Sequence, residues 1–189
     1  MSSLNQALNF FDTKNGVPIK SSVISHAKPV YAVTFSPDSD GLKIVSGSYD
    51  LTLCLWHGSS GHAIGLPFKG HYGWVNSVVF SPDGKKIVSG SNDHTVHLWG
   101  VSTGRTIGSP FTGHTKQVNS VAFLPNGKKI VSGSYDYTIR LWDVATNQTF
   151  QRPLWLGGFC GILDKIASGS GDTDLFLWIH GLDRPLDHL

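Results

Sequence analysis

Residues 71–100, "HYGWVNSVVFSPDGKKIVSGSNDHTVHLWG", decide the fold. Three short runs rich in Val, Ile and Thr ("VNSVVF", "KKIVSGS" and "HTVHLWGV") are strand material. "SPDG" and "SNDHT" separate them and carry turn chemistry. Pro presets one torsion, and Gly or Asn accepts positive φ. The stretch reads as an antiparallel meander of three strands, with a weaker fourth around "RTIGSPF" at 105–111.

The same unit recurs along the chain. "SGS" begins at Ser46, Ser89, Ser132 and Ser168, and "LW" ends at Trp56, Trp99, Trp142 and Trp178. Successive tryptophans are 43, 43 and 36 residues apart, and segments 71–113 and 114–156 are identical at 23 of 43 positions. Upstream, "FFDTKNGVPIKSSVISH" (10–26) aligns with "LWGVSTGRTIGSPFTGH" (98–114), which sets Phe11 at the place of Trp99 and His26 at that of His114. A period of this length marks a repeat architecture. The spacing gives one repeat domain over 1–189: the third and fourth strands of a leading unit in 1–25, three units at 26–70, 71–113 and 114–152, and a shortened unit at 153–189.

Units with "GH" near the start, Asp in a turn and "LW" or "LWD" near the end resemble the WD repeat of β-propellers. The phrase "IGSPFTGHTKQVNSVAF" (107–123) is also similar to repeat arrays in fungal signalling ATPases of the NACHT class, although this sequence has no phosphate-binding loop motif. The resemblance implies an all-β fold: a WD-repeat β-propeller of about four blades' worth of four-stranded antiparallel sheets, incomplete or open. It also implies a hydrogen-bonded set that locks each blade, made of His26, Ser46, Asp50 and Trp56, then His71, Ser89, Asp93 and Trp99, then His114, Ser132, Asp136 and Trp142. A buried Trp must place its indole N–H, and a His needs a partner for each nitrogen.

The last unit departs from this pattern. Pro110 lies 22 residues before Ser132, whereas Pro153 lies only 15 before Ser168. The seven missing residues remove "GH" and most of the first strand. Ser168, Asp172 and Trp178 remain with no His to complete their set. "LWLGGFCGIL" (154–163) replaces that strand, and two readings of it stay open: an improvised cap over an exposed edge, or a mis-joined segment.

Composition narrows the function classes. Hydrophobic content of 40% with 15% charged residues suits a soluble globular chain, and a net charge of +2 is too mild to point to nucleic acid or a membrane surface. Cys54 and Cys160 form no paired motif, so no disulfide or zinc site is expected, and a reducing, cytoplasmic setting is the simpler expectation. His94 and His97, three apart across a turn and strand, do not read as a metal pair; solvated histidines are the expectation, with no metal and no cofactor. A Ser–His–Asp grouping suggests a hydrolase, but its recurrence in every unit argues for structure, so no enzyme is expected. Lys43, Lys85, Lys86, Lys128 and Lys129 make a basic rim that reads as solubility and strand-end protection.

The opposite rim is the expected partner face. The resemblance places Tyr31, Trp74, Asn76, Gln117 and Asn119 in or beside loops before the first strands, and Tyr49, Asn92 and Tyr135 in the turns between second and third strands. Trp74 has two open readings, a binding hot spot or packing against a neighbouring blade. The expected function is a scaffold for a protein or peptide, with a carbohydrate-binding propeller as the alternative. An incomplete ring also leads us to expect a homo-oligomer that completes it.

Overall fold

The computed structural model describes residues 7–11, 16–24, 26–37, 42–155, 166–170 and 175–179, with side chains described at 16–17, 26–37 and 42–149. Every regular element in these segments is a strand. Blade one is β3 (Val30–Phe35), β4 (Lys43–Ser48), β5 (Thr52–His57) and β6 (Phe68–Lys69). Blade two is β7 (Val75–Phe80), β8 (Lys86–Ser91) and β9 (Val96–Gly100), its fourth strand reduced to bridges from Trp99 to Thr106 and from Val96 to Phe111. Blade three is β10 (Val118–Phe123), β11 (Lys129–Ser134), β12 (Thr138–Asp143) and β13 (Thr149–Trp155). Two further two-stranded sheets flank them: β1 (Ala7–Phe11) with β2 (Pro18–Ile24), and β14 (Ile166–Ser170) with β15 (Leu175–Ile179). The all-β expectation holds, and the strands form separate antiparallel sheets with no closed barrel.

The turns follow from sequence. Gly84 and Gly127 adopt φ of 66° and 65° in "SPDG" and "LPNG". In the turn between second and third strands the positive φ falls on side-chain-bearing residues, Leu51, His94 and Tyr137 at 74°, 71° and 65°. Each first strand carries a bulge: Val30 pairs with Ser48 and Ala32 with Gly47, leaving Tyr31 extra, and the same break recurs at Asn76 and Asn119. A bulge turns its extra residue out of the ladder.

The core lies between blades. Val45, Leu53, Leu55 and Phe68 of blade one pack against Val75, Val78, Phe80, Ile87 and Trp99 of blade two. Val88, Val96, Leu98 and Phe111 of blade two meet Val118, Val121, Phe123, Ile130 and Trp142 of blade three in the same way. Glycine in the second strand permits this approach. A Cβ on Gly47 would lie 2.6 Å from Val75 Cγ1, and one on Gly90 would lie 2.7 Å from Val118 Cγ1. The "SGS" motif is thus a socket for the next blade's valines.

β13 runs through Trp155, beyond residue 152 where the sequence spacing closes unit three. Leu154 pairs with Ile139, as Phe111 pairs with Val96. In the shortened unit, Ile166 pairs with Ile179 and Ala167 with Trp178, one residue out of step with the Ile44–Trp56, Ile87–Trp99 and Ile130–Trp142 pairs of the complete blades. A one-residue slip exchanges the two faces of a strand relative to its neighbour.

Candidate functional site

Three copies of one polar lock tie the segment before the first strand to the second strand, the third strand and the turn between them in blades one to three. In blade two, His71 Nδ1 donates to Asp93 Oδ2 at 2.7 Å, and its Nε2 lies 2.7 Å from Ser89 Oγ. Trp99 Nε1 donates to the same Oγ at 2.8 Å. Ser89 Oγ accepts from the indole and shares a hydrogen bond with His71 Nε2, so each polar atom of the set has a partner. Blade one repeats this with His26, Asp50, Ser46 and Trp56 at 2.9, 2.8 and 2.9 Å. Blade three repeats it with His114, Asp136, Ser132 and Trp142 at 2.9, 2.7 and 2.8 Å. Of the last unit's set, Ser168 and Trp178 have their backbone in β14 and β15, and Asp172 lies outside the described residues.

Sequence reasoning missed a fifth member. Thr52, Thr95 and Thr138 each donate a hydroxyl to the near carboxylate oxygen at 2.6, 2.5 and 2.6 Å. The amides of Ala27, Tyr72 and Thr115 donate to the far oxygen, all at 2.9 Å. The signal was present as "DLT", "DHT" and "DYT". Burial opposes charge on each carboxylate, yet these donors outweigh it. Asp50 is lowered, Asp93 lies far below the usual carboxylate range, and Asp136 comes to about 2. Burial lowers His114 against the pull of Asp136, which keeps the imidazole neutral.

One residue per blade faces the lock from the third strand, opposite the serine: Cys54, His97 and Arg140. Cys54 Sγ lies 4.0 Å from His26 Nδ1, but burial and then Asp50 push the thiol up to about 12, which removes it as a nucleophile at neutral pH. His97 corrects the expectation of a solvated side chain. It is buried against His71 with ring centroids 4.1 Å apart, and burial followed by the neighbouring His71 lowers it to about 4. Its Nδ1 has no hydrogen-bond partner, and with His71 and Asp93 it forms a group whose ligand atoms lie within 4.8 Å of one another. A cation there would have to displace the proton that His71 shares with Asp93. Ser46, Ser89 and Ser132 of the three locks are fully buried.

Recurring locks, glycine sockets and blade-to-blade cores in one period are matched by a family model. The WD domain, G-beta repeat model fits residues 17–57, 64–100 and 104–143. The chain belongs to the WD-repeat family. Among curated proteins none matches it. WD-repeat domains are, in general, protein-interaction scaffolds and typically non-catalytic, and the locks of this chain are the structural element that such a scaffold needs.

The partner face expected from sequence divides into groups on the WD-repeat rim. Tyr31 stacks on Tyr49 with centroids 5.1 Å apart and planes at 24°, and Tyr49 stacks on Trp74 at 4.1 Å and 16°. The row bridges blades one and two, so Trp74 packs on the neighbouring blade, as one of its two readings has it, and stays 42% exposed. Burial and then Tyr31 raise the Tyr49 hydroxyl. Tyr72, which the sequence reading passed over, is 92% exposed two residues before Trp74. Tyr135 stands in a second group, 6.0 Å from Tyr137, with Lys116 Nζ 5.3 Å from its ring centroid. Asn76 is structural, donating to Asn92 Oδ1 at 2.7 Å and to the Val118 carbonyl at 3.0 Å, so it ties blade two to blade three. The Gln117 carbonyl accepts from the Tyr135 amide at 2.9 Å, and Asn119 is half-buried on its bulge.

Proposed function

We propose that this WD-repeat protein is a non-catalytic scaffold that binds a protein or peptide segment through the rim carrying Tyr31, Tyr49, Tyr72 and Trp74. The observation that supports this reading is the exposed aromatic row. Three rings are held parallel by one another, so they lose little entropy when an apolar or aromatic anchor lands on them, and such rings dominate binding energy where they occur. A peptide suits the row better than a sugar, because Asn76 and Asn92 spend an amide donor and acceptor on each other. The reading includes a cytoplasmic setting and a homo-oligomer that completes the ring.

A random peptide library displayed on phage tests the binding face. Selected peptides are expected to bind the wild-type chain and to lose at least about tenfold in affinity against Trp74→Ala, the loss of a typical aromatic hot spot. Tyr72→Ala, at an exposed ring, is expected to weaken them with no change in thermal midpoint. Equal binding to all three proteins would place the partner face elsewhere, and selective binding on a glycan array would favour the lectin alternative.

A further inference from the structure

We propose that the inner half of blade one's leading face is covered by a second copy of this chain, whose β14–β15 hairpin joins β1–β2 of the first copy to build one four-stranded blade. The proposal rests on the homo-oligomer reading above and names the surfaces that carry it.

The open face is visible by comparing equivalent positions. Val33 on β3 corresponds to Val78 on β7 and Val121 on β10, and the three are 53%, 4% and 3% exposed. Phe35 corresponds to Phe80 and Phe123, at 60%, 5% and 7%. In blades two and three these side chains press into the preceding blade, where Gly47 and Gly90 receive the adjoining valines. The outer half of the same face of blade one, Ile44, Cys54 and Trp56, is buried. Blade one's leading face is thus covered over its outer strands and open over its inner ones. Sequence alignment puts β1 and β2 at the third and fourth places of a blade, which are the outer ones.

The β14–β15 hairpin is the complementary half. β7 packs on the first and second strands of blade one, β3 and β4, and β10 packs on β7 and β8 in the same way. β14 packs on β10 and β11, so it takes the innermost place after blade three, and β15, paired to it, takes the second. By sequence "IASGS" is a second strand, and the shift inward by one place accompanies the loss of the first strand and the slipped register. Inner β14 and β15 with outer β1 and β2 make the four strands of one blade. Within a single chain the two hairpins belong to separate sheets. Exchanged between two copies about a two-fold axis, each hairpin completes the other copy's leading blade and buries its Val33 and Phe35. Each leading blade then has four strands and a covered inner face.

Sedimentation equilibrium of the full chain at tens of micromolar is expected to give twice 20.5 kDa. Val33→Asp/Phe35→Asp is expected to return the mass to that of one chain with an unchanged β-sheet circular dichroism spectrum. Lysine cross-linking of a mixture of isotope-light and isotope-heavy chains is expected to join Lys165 of one copy to Lys20 of the other as light–heavy pairs, and this arm needs no variant. A monomer at these concentrations overturns both this assignment and the homo-oligomer reading. A dimer whose mass survives the double substitution, or one without light–heavy Lys165–Lys20 links, overturns only the assignment. Links found solely within one isotope would show that a chain closes on itself.

Discussion

Asp136→Asn tests the lock most directly. Four donors converge on this carboxylate: His114 Nδ1, the amides of Thr115 and Thr138, and the Thr138 hydroxyl. An asparagine keeps one oxygen, which best serves the two Thr138 donors. Its amide nitrogen then faces His114 Nδ1–H and the Thr115 amide. His114 can shift its proton to Nε2, but Ser132 Oγ then receives donors from both His114 and Trp142 Nε1 and loses its own acceptor. The substitution therefore removes the charge from four bonds and disturbs a fifth. With charge-assisted bonds contributing about 1.5–3 kcal/mol each, and relaxation recovering part, the expected net loss is about 3 kcal/mol. Urea unfolding near neutral pH measures it. The pH dependence adds a sign. Asp136 is lowered from 3.8 to about 2 on folding, so its contribution is complete above the unfolded value and is lost as pH falls through the folded one. The gap between wild type and Asp136→Asn should therefore be constant in the neutral range and narrow as pH falls from 3.8 towards about 2. A loss below about 1 kcal/mol, the size of one neutral hydrogen bond, or a gap that does not narrow in acid would refute the account of a charged, four-donor lock.

Two other expectations follow from the packing. Gly90→Ala puts a methyl 2.7 Å from Val118 Cγ1 and 3.0 Å from Val121 Cγ1, both buried. It should destabilise by about 1–3 kcal/mol despite the entropy gained on replacing glycine, and Val118→Ala should restore part of the loss in a double-mutant cycle; additive losses would remove the socket argument. Cys54, raised to about 12 mainly by burial, should resist an aromatic disulfide reagent at mildly alkaline pH in a Cys160→Ser background and react fully in denaturant. Prompt labelling of the native chain would show that blade one opens easily.

The lock was legible in the sequence because it is repeated. Asp and Trp recur at fixed offsets from "SGS", His precedes it by 18 or 20 residues, and hydrogen-bonding needs explain why a His, Ser, Asp and Trp travel together. His97 was not legible in the same way. Counting from His94 gave no shared face, whereas the strand register sets His97 directly across from Ser89, and a cross-strand partner shares its face. The aromatic candidates were named individually from their loops, but loop position could not say that Tyr49 is sandwiched between Tyr31 and Trp74, or that Tyr135 stands with Tyr137 and Lys116.

Periodicity, turn residues and the spacing of "GH", "SGS" and "LW" determined by themselves that the chain repeats one antiparallel unit, and the resemblance of that unit to the WD repeat implied where each lock lies. These are short-range properties: alternation chooses the strand, Pro and Gly choose the turn, and a 43-residue step repeats the choice. Tertiary structure decided what the blades do to one another. It buried Val78 and Phe80 while leaving Val33 and Phe35 in water, aligned three rings across a blade boundary, and set β14 against β10 and β11 of blade three. The physical reason is that identical local patterns acquire different environments only through packing against neighbours. Exposure belongs to the assembly of sheets, and no single repeat contains it.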